Sequence, residues 1–464
     1  MVLITIIVYM VILLAIGYWA SRKIEVMEDF LLAGRRLGLL LTAGALAATH
    51  FGGGMVMGGG EYGFIHGISG AWYGISCGIG LILLGFLTAS RFRSLAFYTV
   101  PDYLEHRYGG KSMRVLGALL SLMAIIGIIA AQVIAAQDAL AILGFEGNTA
   151  AVIATVIFIV YTALGGLWAA SVTDFIQVII AGVGVILASA LVLNDVGGFS
   201  GLAGFIESSR ESVDAGYFNF FGMGGKTIIW MLLPTVMYTL IGQDFYQRLF
   251  AAKDKITARR ASFVGGVFLI LISIFPTIAG MSARGYFPGL EDGGRAIPRI
   301  IEEVFPLGVG AVVLAALLAA IMSTADSLLT AGTSHIINDL WLKLKGGDDD
   351  INKLAISRLF TVLLGAVALI IALLVPTIID ALIYSYTMYT AGVFVPVIGG
   401  VIWKGATKEG AMTALLGGSL VAIMGILLNF EFGKMPVEVY SGLISLVLFV
   451  IVSLATGRKK ADIS

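Results

Sequence analysis

Residues 48–54, Ala-Thr-His-Phe-Gly-Gly-Gly, interrupt an apolar run long enough to cross a bilayer, and how they are read decides the fold. Three successive glycines weaken a helix by roughly 1 kcal/mol each relative to Ala, so the run reads as a span broken near its middle. Unwound backbone at membrane depth leaves N–H and C=O groups without ladder partners; it is tolerated only where it lines a cavity or binds something. Gly54 and Gly58 also form a small-xxx-small pair, so close helix packing is the competing account of the same glycines.

The rest of the chain supports a membrane setting. Its 464 residues are 59% hydrophobic and 12% charged, with a mean hydropathy of +0.98, which excludes a soluble enzyme and points to an all-α polytopic membrane protein. A net charge of zero gives no sign of a nucleic-acid partner. Cys77 is the single cysteine, so no intramolecular disulfide, zinc cluster or redox pair can be built from cysteine. Met1 to Ala20 lacks a basic leader and a small-residue cleavage site, and reads as a retained span.

Apolar runs predict about thirteen transmembrane helices, near 2–20, 39–63, 69–90, 115–140, 149–165, 171–194, 227–246, 262–283, 309–335, 358–377, 380–403, 411–430 and 438–456. Only Arg210, Lys226, Arg284, Arg295, Arg299 and Lys434, of 29 Lys and Arg, fall in connections after even-numbered spans. The positive-inside rule then puts the N-terminus outside and Arg458-Lys459-Lys460 in the cytoplasm, with the chain in the cell membrane. The outer connections 195–226 and 285–308 are long and Gly-rich, suited to act as lids, and Ile300-Ile301-Glu302-Glu303-Val304-Phe305 suits an interfacial turn. Asp348-Asp349-Asp350 reads as a solvated cytoplasmic turn. No soluble domain is expected at either end.

The seventh span carries a second interruption, Pro234 followed by Leu240-Ile241-Gly242-Gln243-Asp244. Two broken spans lying five apart mark inverted-repeat transporters. Between them in function stands Ala319-Ala320-Ile321-Met322-Ser323-Thr324-Ala325-Asp326, which places two hydroxyls and a carboxylate inside an apolar run. On a helix Thr324 reaches back toward the Ala320 carbonyl with Ser323 beside it, gathering oxygens that suit a small hard cation. Ser327, Thr330 and Ser334 extend the hydroxyl stripe along one face, a route for a desolvated ion. The alternative is that these hydroxyls satisfy their own helix or join two helices.

Together these stretches resemble the sodium:solute symporter family over nearly the whole chain. The resemblance is carried by Phe30-Leu31-Leu32-Ala33-Gly34-Arg35, by Thr99-Val100-Pro101-Asp102-Tyr103-Leu104-Glu105-His106-Arg107, and by Gly165-Gly166-Leu167 with Thr173-Asp174-Phe175-Ile176-Gln177. Gln247-Arg248 with Ala251-Ala252-Lys253, and Met322-Ser323-Thr324, complete it. It implies a LeuT-type five-plus-five inverted repeat: an extra N-terminal helix and loop in 1–38, repeats in 39–225 and 226–403, and two extra helices in 404–464. It also implies a Na+ site on the carbonyls of Ala48, Phe51 and Ala320 and the hydroxyls of Ser323 and Thr324. Some members hold a second sodium, which here would fall on Asp174 and Ser327, with Asp326 close by. A helix-capping carboxylate is the other reading of Asp174.

The solute site is expected beside the two breaks, with candidates His50, Gly53, Tyr73, Gln132, Tyr238, Gln243 and Tyr386. Aromatic walls, hydroxyls and amides suit a small polar molecule, although Tyr and Gln inside a bundle also simply link helices. Tyr238 aligns with a gating tyrosine of sugar-carrying relatives. Leu240 and Asp244 depart from the pattern of the family's proline carriers, which points away from proline itself; Asp244 either pairs with Arg248 one turn on or meets a cationic group. His50 can hydrogen-bond a carboxylate, carry a proton, or bond a carbonyl across the bundle, and it tilts the reading toward an amino acid or small organic acid. The expected function is therefore import of a small solute with sodium, without enzymatic catalysis, by a chain taken as a monomer. A sugar or other solute, or a membrane sensor, is the alternative reading; a passive channel lacks a visible filter or charged ring.

Overall fold

The computed structural model describes residues 2–461 except 146, 210–212, 215, 346–352, 375–377, 431 and 434. The acidic run at 348–350 and the basic residues Arg210 and Lys434 thus lie outside the described residues. The helices that organise the fold are α1 (Val2–Ser21), α2 (Leu39–His50), α3 (Gly53–His66), α4 (Trp72–Leu84), α5 (Lys111–Ala141) and α6 (Gly147–Asp195). They continue with α7 (Gly225–Thr239), α8 (Gln243–Ala251), α9 (Lys255–Ile272), α10 (Ile274–Tyr286), α11 (Leu307–Ser334), α12 (Lys353–Leu374), α13 (Ile378–Ile402), α14 (Lys408–Leu427) and α15 (Val437–Ala461). Among the described residues ten helical stretches are long and apolar enough to cross a membrane, and α7 with α8, meeting at 46°, makes an eleventh as a broken pair.

Boundaries differ from the sequence reading where glycine turns the chain without a loop. The stretches 149–165 and 171–194 are joined in α6, whose 49 residues bend at Gly166 (φ 48°, ψ −160°). A Cβ there would meet the Phe30 ring at 2.6 Å, so both the dihedral and the space demand glycine. α3 passes to α4 through a single 3-10 turn, Gly67–Ala71. At Gly67, φ is +67° and a Cβ would lie 1.9 Å from the Tyr217 carbonyl oxygen.

α11 is buried on every side from Val313 to Ser334, as a helix at the centre of a bundle must be. It packs against α5 and α6. α1, by contrast, exposes Leu3, Ile4, Ile7, Val8, Val11 and Ile12 along one face, the pattern of a helix turned toward lipid. A short helix, Val100–Tyr108, precedes α5 and is fixed by a capping box: the Asp102 N–H donates to Thr99 Oγ1 at 3.3 Å, and Asp102 Oδ2 accepts the Thr99 N–H at 3.0 Å. The 195–226 connection contains the helix Gly198–Ser208, which packs on α10. Farther on, Tyr217 donates its hydroxyl to the Gly63 carbonyl at 2.9 Å, fastening this connection to the end of α3.

Candidate cation and solute site

The first break lies where the glycines predict it. α2 stops at His50, Phe51 leaves the helix with ψ 52°, and α3 restarts at Gly53. In an unbroken helix the Met55 N–H would take the Phe51 carbonyl; here it goes to the Gly52 carbonyl at 3.1 Å. The Gly53 N–H, likewise released, donates to Gln132 Oε1 at 3.1 Å. The Ala48 carbonyl accepts the Thr324 hydroxyl from α11 at 3.0 Å. Thr324 Oγ1 is also 3.3 Å from the Thr49 carbonyl oxygen and 3.5 Å from that of Ala320. Ser323 donates to the same Ala320 carbonyl at 2.9 Å.

Glycine makes this approach possible, since a Cβ on Gly52 would fall 2.0 Å from Thr324 Oγ1. The structure therefore brings Ala48, Ala320, Ser323 and Thr324 together, with the freed end of α2 at Phe51 beside them. Carbonyl and hydroxyl oxygens without a formal charge suit a weakly polarising, monovalent hard cation.

One turn along α11 a second polar cluster is fully buried. Arg248 Nη2 lies 3.4 Å from Asp174 Oδ2 and also bonds Ser327 Oγ, while Ser327 donates to the Ser323 carbonyl at 2.6 Å. Asp174 Oδ1 and both oxygens of Asp326 have no partner. Asp174 stands well past the Gly166 bend and inside α6, so it does not cap a helix start. Two carboxyl groups and one guanidinium, all 0% exposed, meet here, and the paired carboxyls can hold either a shared proton or a cation.

Between the two helix breaks lies a cavity of 80 Å³ whose lining includes His50, Tyr73, Gln132, Tyr238, Thr324 and Tyr386. His50 Nε2 is 2.9 Å from Thr239 Oγ1 on α7, and its ring lies 4.4 Å from that of Phe245 on α8, so the two interruptions face each other. Gly53 contributes through its N–H to Gln132. Gln243 stands apart from the lining: its amide takes the Val100 N–H at 2.9 Å and donates to the Tyr98 carbonyl at 3.0 Å. Residues the sequence reading did not assign to the solute also line the cavity, among them Thr49, Cys77, Ile128, Thr235 and Phe245. No local signal marks them, because the cavity is assembled from helices far apart in the chain.

Asp244 lines the cavity as well. It accepts the Tyr238 hydroxyl at 3.2 Å. Arg248 bonds only the backbone carbonyl of Asp244, at 2.8 Å, because Asp174 and Ser327 hold the other end of the guanidinium. Tyr238 in turn stands 6.4 Å from Tyr389 between ring centres, and this pair closes the end of the cavity away from Tyr386, whose ring is 5.8 Å from Tyr238. At its other end the cavity shares Gly54, Tyr73, Thr235 and Tyr386 with a vestibule of 500 Å³ beside His66.

With this geometry in place, comparison with known proteins gives a consistent picture. The model of the sodium:solute symporter family matches residues 30–418. The high-affinity proline transporter of Bacillus subtilis (strain 168) is 28% identical over 430 residues, covering 89% of each chain. Sodium/glucose cotransporter 4 of Danio rerio is 23% identical over 92% of this chain and 72% of its own. Among solved structures, a substrate-bound, outward-open Na+-coupled sialic acid symporter shares the fold with a TM-score of 0.83 at 19% identity, covering 98% of this chain and 97% of its own.

Proposed function

The chain belongs to the sodium:solute symporter family, a family of transporters and not of enzymes, so sodium is its coupling ion and a small solute its cargo, carried across the cell membrane by a multi-pass protein; from that premise we propose how its residues do this. Sodium binds the carbonyls of Ala48, Phe51 and Ala320 and the hydroxyls of Ser323 and Thr324. The observation that carries this reading is the Thr324 hydroxyl lying 3.0 Å from the Ala48 carbonyl across the break, an oxygen cluster shared by two helices. An ion there replaces hydrogen bonds that the broken helix forfeits, and joins α2 to α11. Its binding favours one arrangement of the two repeats, 39–225 and 226–403, and so couples ion and solute. A second sodium binds Asp174 and Ser327 beside Asp326, in place of a proton the two carboxyls would otherwise share, supported by carboxylate oxygens that meet no donor.

The same premise favours thirteen crossings. At 1.5 Å per residue the 49 residues of α6 extend about 74 Å, more than twice a hydrocarbon core of about 30 Å, so α6 crosses twice around Gly166. The 43-residue stretch Gly53–Leu95, which contains α3 and α4, turns likewise at Gly67. With the basic residues gathered on one side, the N-terminus lies outside and the C-terminus in the cytoplasm. The vestibule beside His66 then opens outward, and the Tyr238 gate closes toward the cytoplasm. The 195–226 and 285–308 connections act as outer lids.

The solute is a small polar organic molecule, an amino acid or organic acid, held by His50, Tyr73, Gln132, Tyr238 and Tyr386, with Gly53 fixing Gln132 through its N–H. Sodium titrations of solute uptake in proteoliposomes test both ions. Replacing Ser323 and Thr324 together by Ala is expected to abolish sodium-dependent uptake, and Asp174→Asn to lower the Hill slope for sodium. Unchanged sodium dependence in the double variant would refute the first site; an unaltered slope would refute the second.

A further inference from the structure

Asp244 is 2% exposed and lines the central cavity. The nearest basic side chain in sequence, Arg248, is committed to Asp174, Ser327 and the backbone of Asp244. Among the described residues no Lys or Arg lines either the cavity or the vestibule that leads to it. The vestibule adds two further carboxyl groups, Glu61 and Glu438. Glu438 is 5% exposed and takes the Thr387 hydroxyl at 2.5 Å. Apart from His50 and His66, the described lining of the route thus carries no ionisable group of opposite sign to a carboxylate.

From this we infer that the transported solute carries a cationic nitrogen, and that Asp244 is the residue that receives it. Asp244 stands in the first turn of α8 and takes the Tyr238 hydroxyl, but no cationic side chain bonds its carboxylate directly, so a cationic nitrogen arriving with the cargo would be its one direct charged partner. Sodium fits this position poorly. A hard ion wants several oxygens, whereas Asp244 offers one carboxylate edge among the rings of Tyr238, Phe245 and Tyr386, whose faces suit an organic ammonium group. Glu61 and Glu438 would raise the local concentration of such a solute at the mouth of the route. The inference rests on the sodium-symport reading and narrows its cargo: among amino acids and organic acids it selects the amine-bearing ones and excludes acids without nitrogen.

The test uses the purified chain in detergent and near-isosteric pairs that differ in the nitrogen: L-alanine against L-lactate, L-proline against tetrahydrofuroate, and choline against dimethylbutanol. Thermal unfolding is followed in sodium and in potassium, because a ligand of the folded state raises its melting temperature. In at least one pair the nitrogen-bearing member alone is expected to raise Tm, and only in sodium. Asp244→Asn is expected to weaken that ligand by about 30-fold or more. A pair member without nitrogen that binds as well as its partner overturns the inference, and so does the absence of a response to every amine. In either case a Tm raised by sodium alone leaves the symport reading standing; loss of that sodium response would strike the symport reading instead. Should Asp244→Asn not fold, the wild-type pairs still decide.

Discussion

Gly52 is confined to glycine by its neighbour on another helix, because a Cβ would sit 2.0 Å from Thr324 Oγ1 and 2.7 Å from Thr324 Cβ. Gly58, two turns along the same run, has nothing within 4 Å of a built Cβ. Gly52→Ala is therefore expected to destabilise the protein by about 1–3 kcal/mol through overpacking, and to blunt stabilisation by sodium. Gly58→Ala should be neutral or gain up to about 1 kcal/mol of helix propensity. Thermal unfolding with and without sodium separates the two; equal shifts would show that close approach to Thr324 is not what Gly52 provides. The helix break after His50 and the buried hydroxyl pair Ser323 and Thr324 were legible in the sequence because a glycine run and adjacent hydroxyls are local signals, whereas the choice of the Ala48 and Phe51 carbonyls came from the family resemblance. The i to i+4 rule favoured Asp244 with Arg248, yet Asp174, 74 residues distant in the chain, draws the guanidinium away. The partners of Gln243, Tyr98 and Val100, are equally remote in sequence.

At the scale of elements, apolar runs matched the all-helical character and ten or eleven long apolar stretches among the described residues rather than thirteen separate ones, since burial in lipid or bundle demands about 20 apolar residues wherever a helix crosses. Ends were less legible: a glycine with positive φ at 166 or 67 lets one helix run into the next with almost no polar loop to mark the turn. Where three elements do meet, charge joins them. His335 Nδ1, just beyond α11, lies 2.7 Å from Asp339 Oδ2. Asp339 Oδ1 accepts Arg114 Nε from α5 at 2.7 Å and the Thr99 hydroxyl at 2.8 Å. Arg114 also reaches Asp102 at 2.5 Å and Glu105 at 3.0 Å on the Val100–Tyr108 helix. Removing Arg114 takes the guanidinium from Asp102 and Asp339, while Glu105 keeps Lys343 at 2.8 Å, and losing one partner of such a partly buried network costs about 3–5 kcal/mol. Arg114→Met should accordingly speed amide hydrogen exchange in 100–108 and in the segment after Ser334, with α14 and α15 unaffected. Uniform exchange across the molecule would mean that the network does not pin these elements in particular.

For the whole molecule, the decisive property is which face reaches the cavity. The single cysteine offers a native reporter: Cys77 is 1% exposed, sits on α4 and lines the cavity. The vestibule joins the cavity through Gly54, Tyr73, Thr235 and Tyr386, whereas Tyr238 and Tyr389 close the opposite end. In this arrangement a small membrane-impermeant methanethiosulfonate reaches Cys77 from the vestibule side only. If an ion clamps α2 to α11, its binding free energy adds to whichever arrangement forms the clamp, and the oxygen cluster is formed in the arrangement seen here. Sodium should then raise the rate of Cys77 modification from the vestibule side relative to potassium, and lower the rate from the other face. Both changes are required by linkage, because a ligand shifts an equilibrium only through its different affinity for the two states. Rates that are the same in sodium and potassium from both faces would mean that the ion, wherever it binds, does not bias the alternation on which coupling depends.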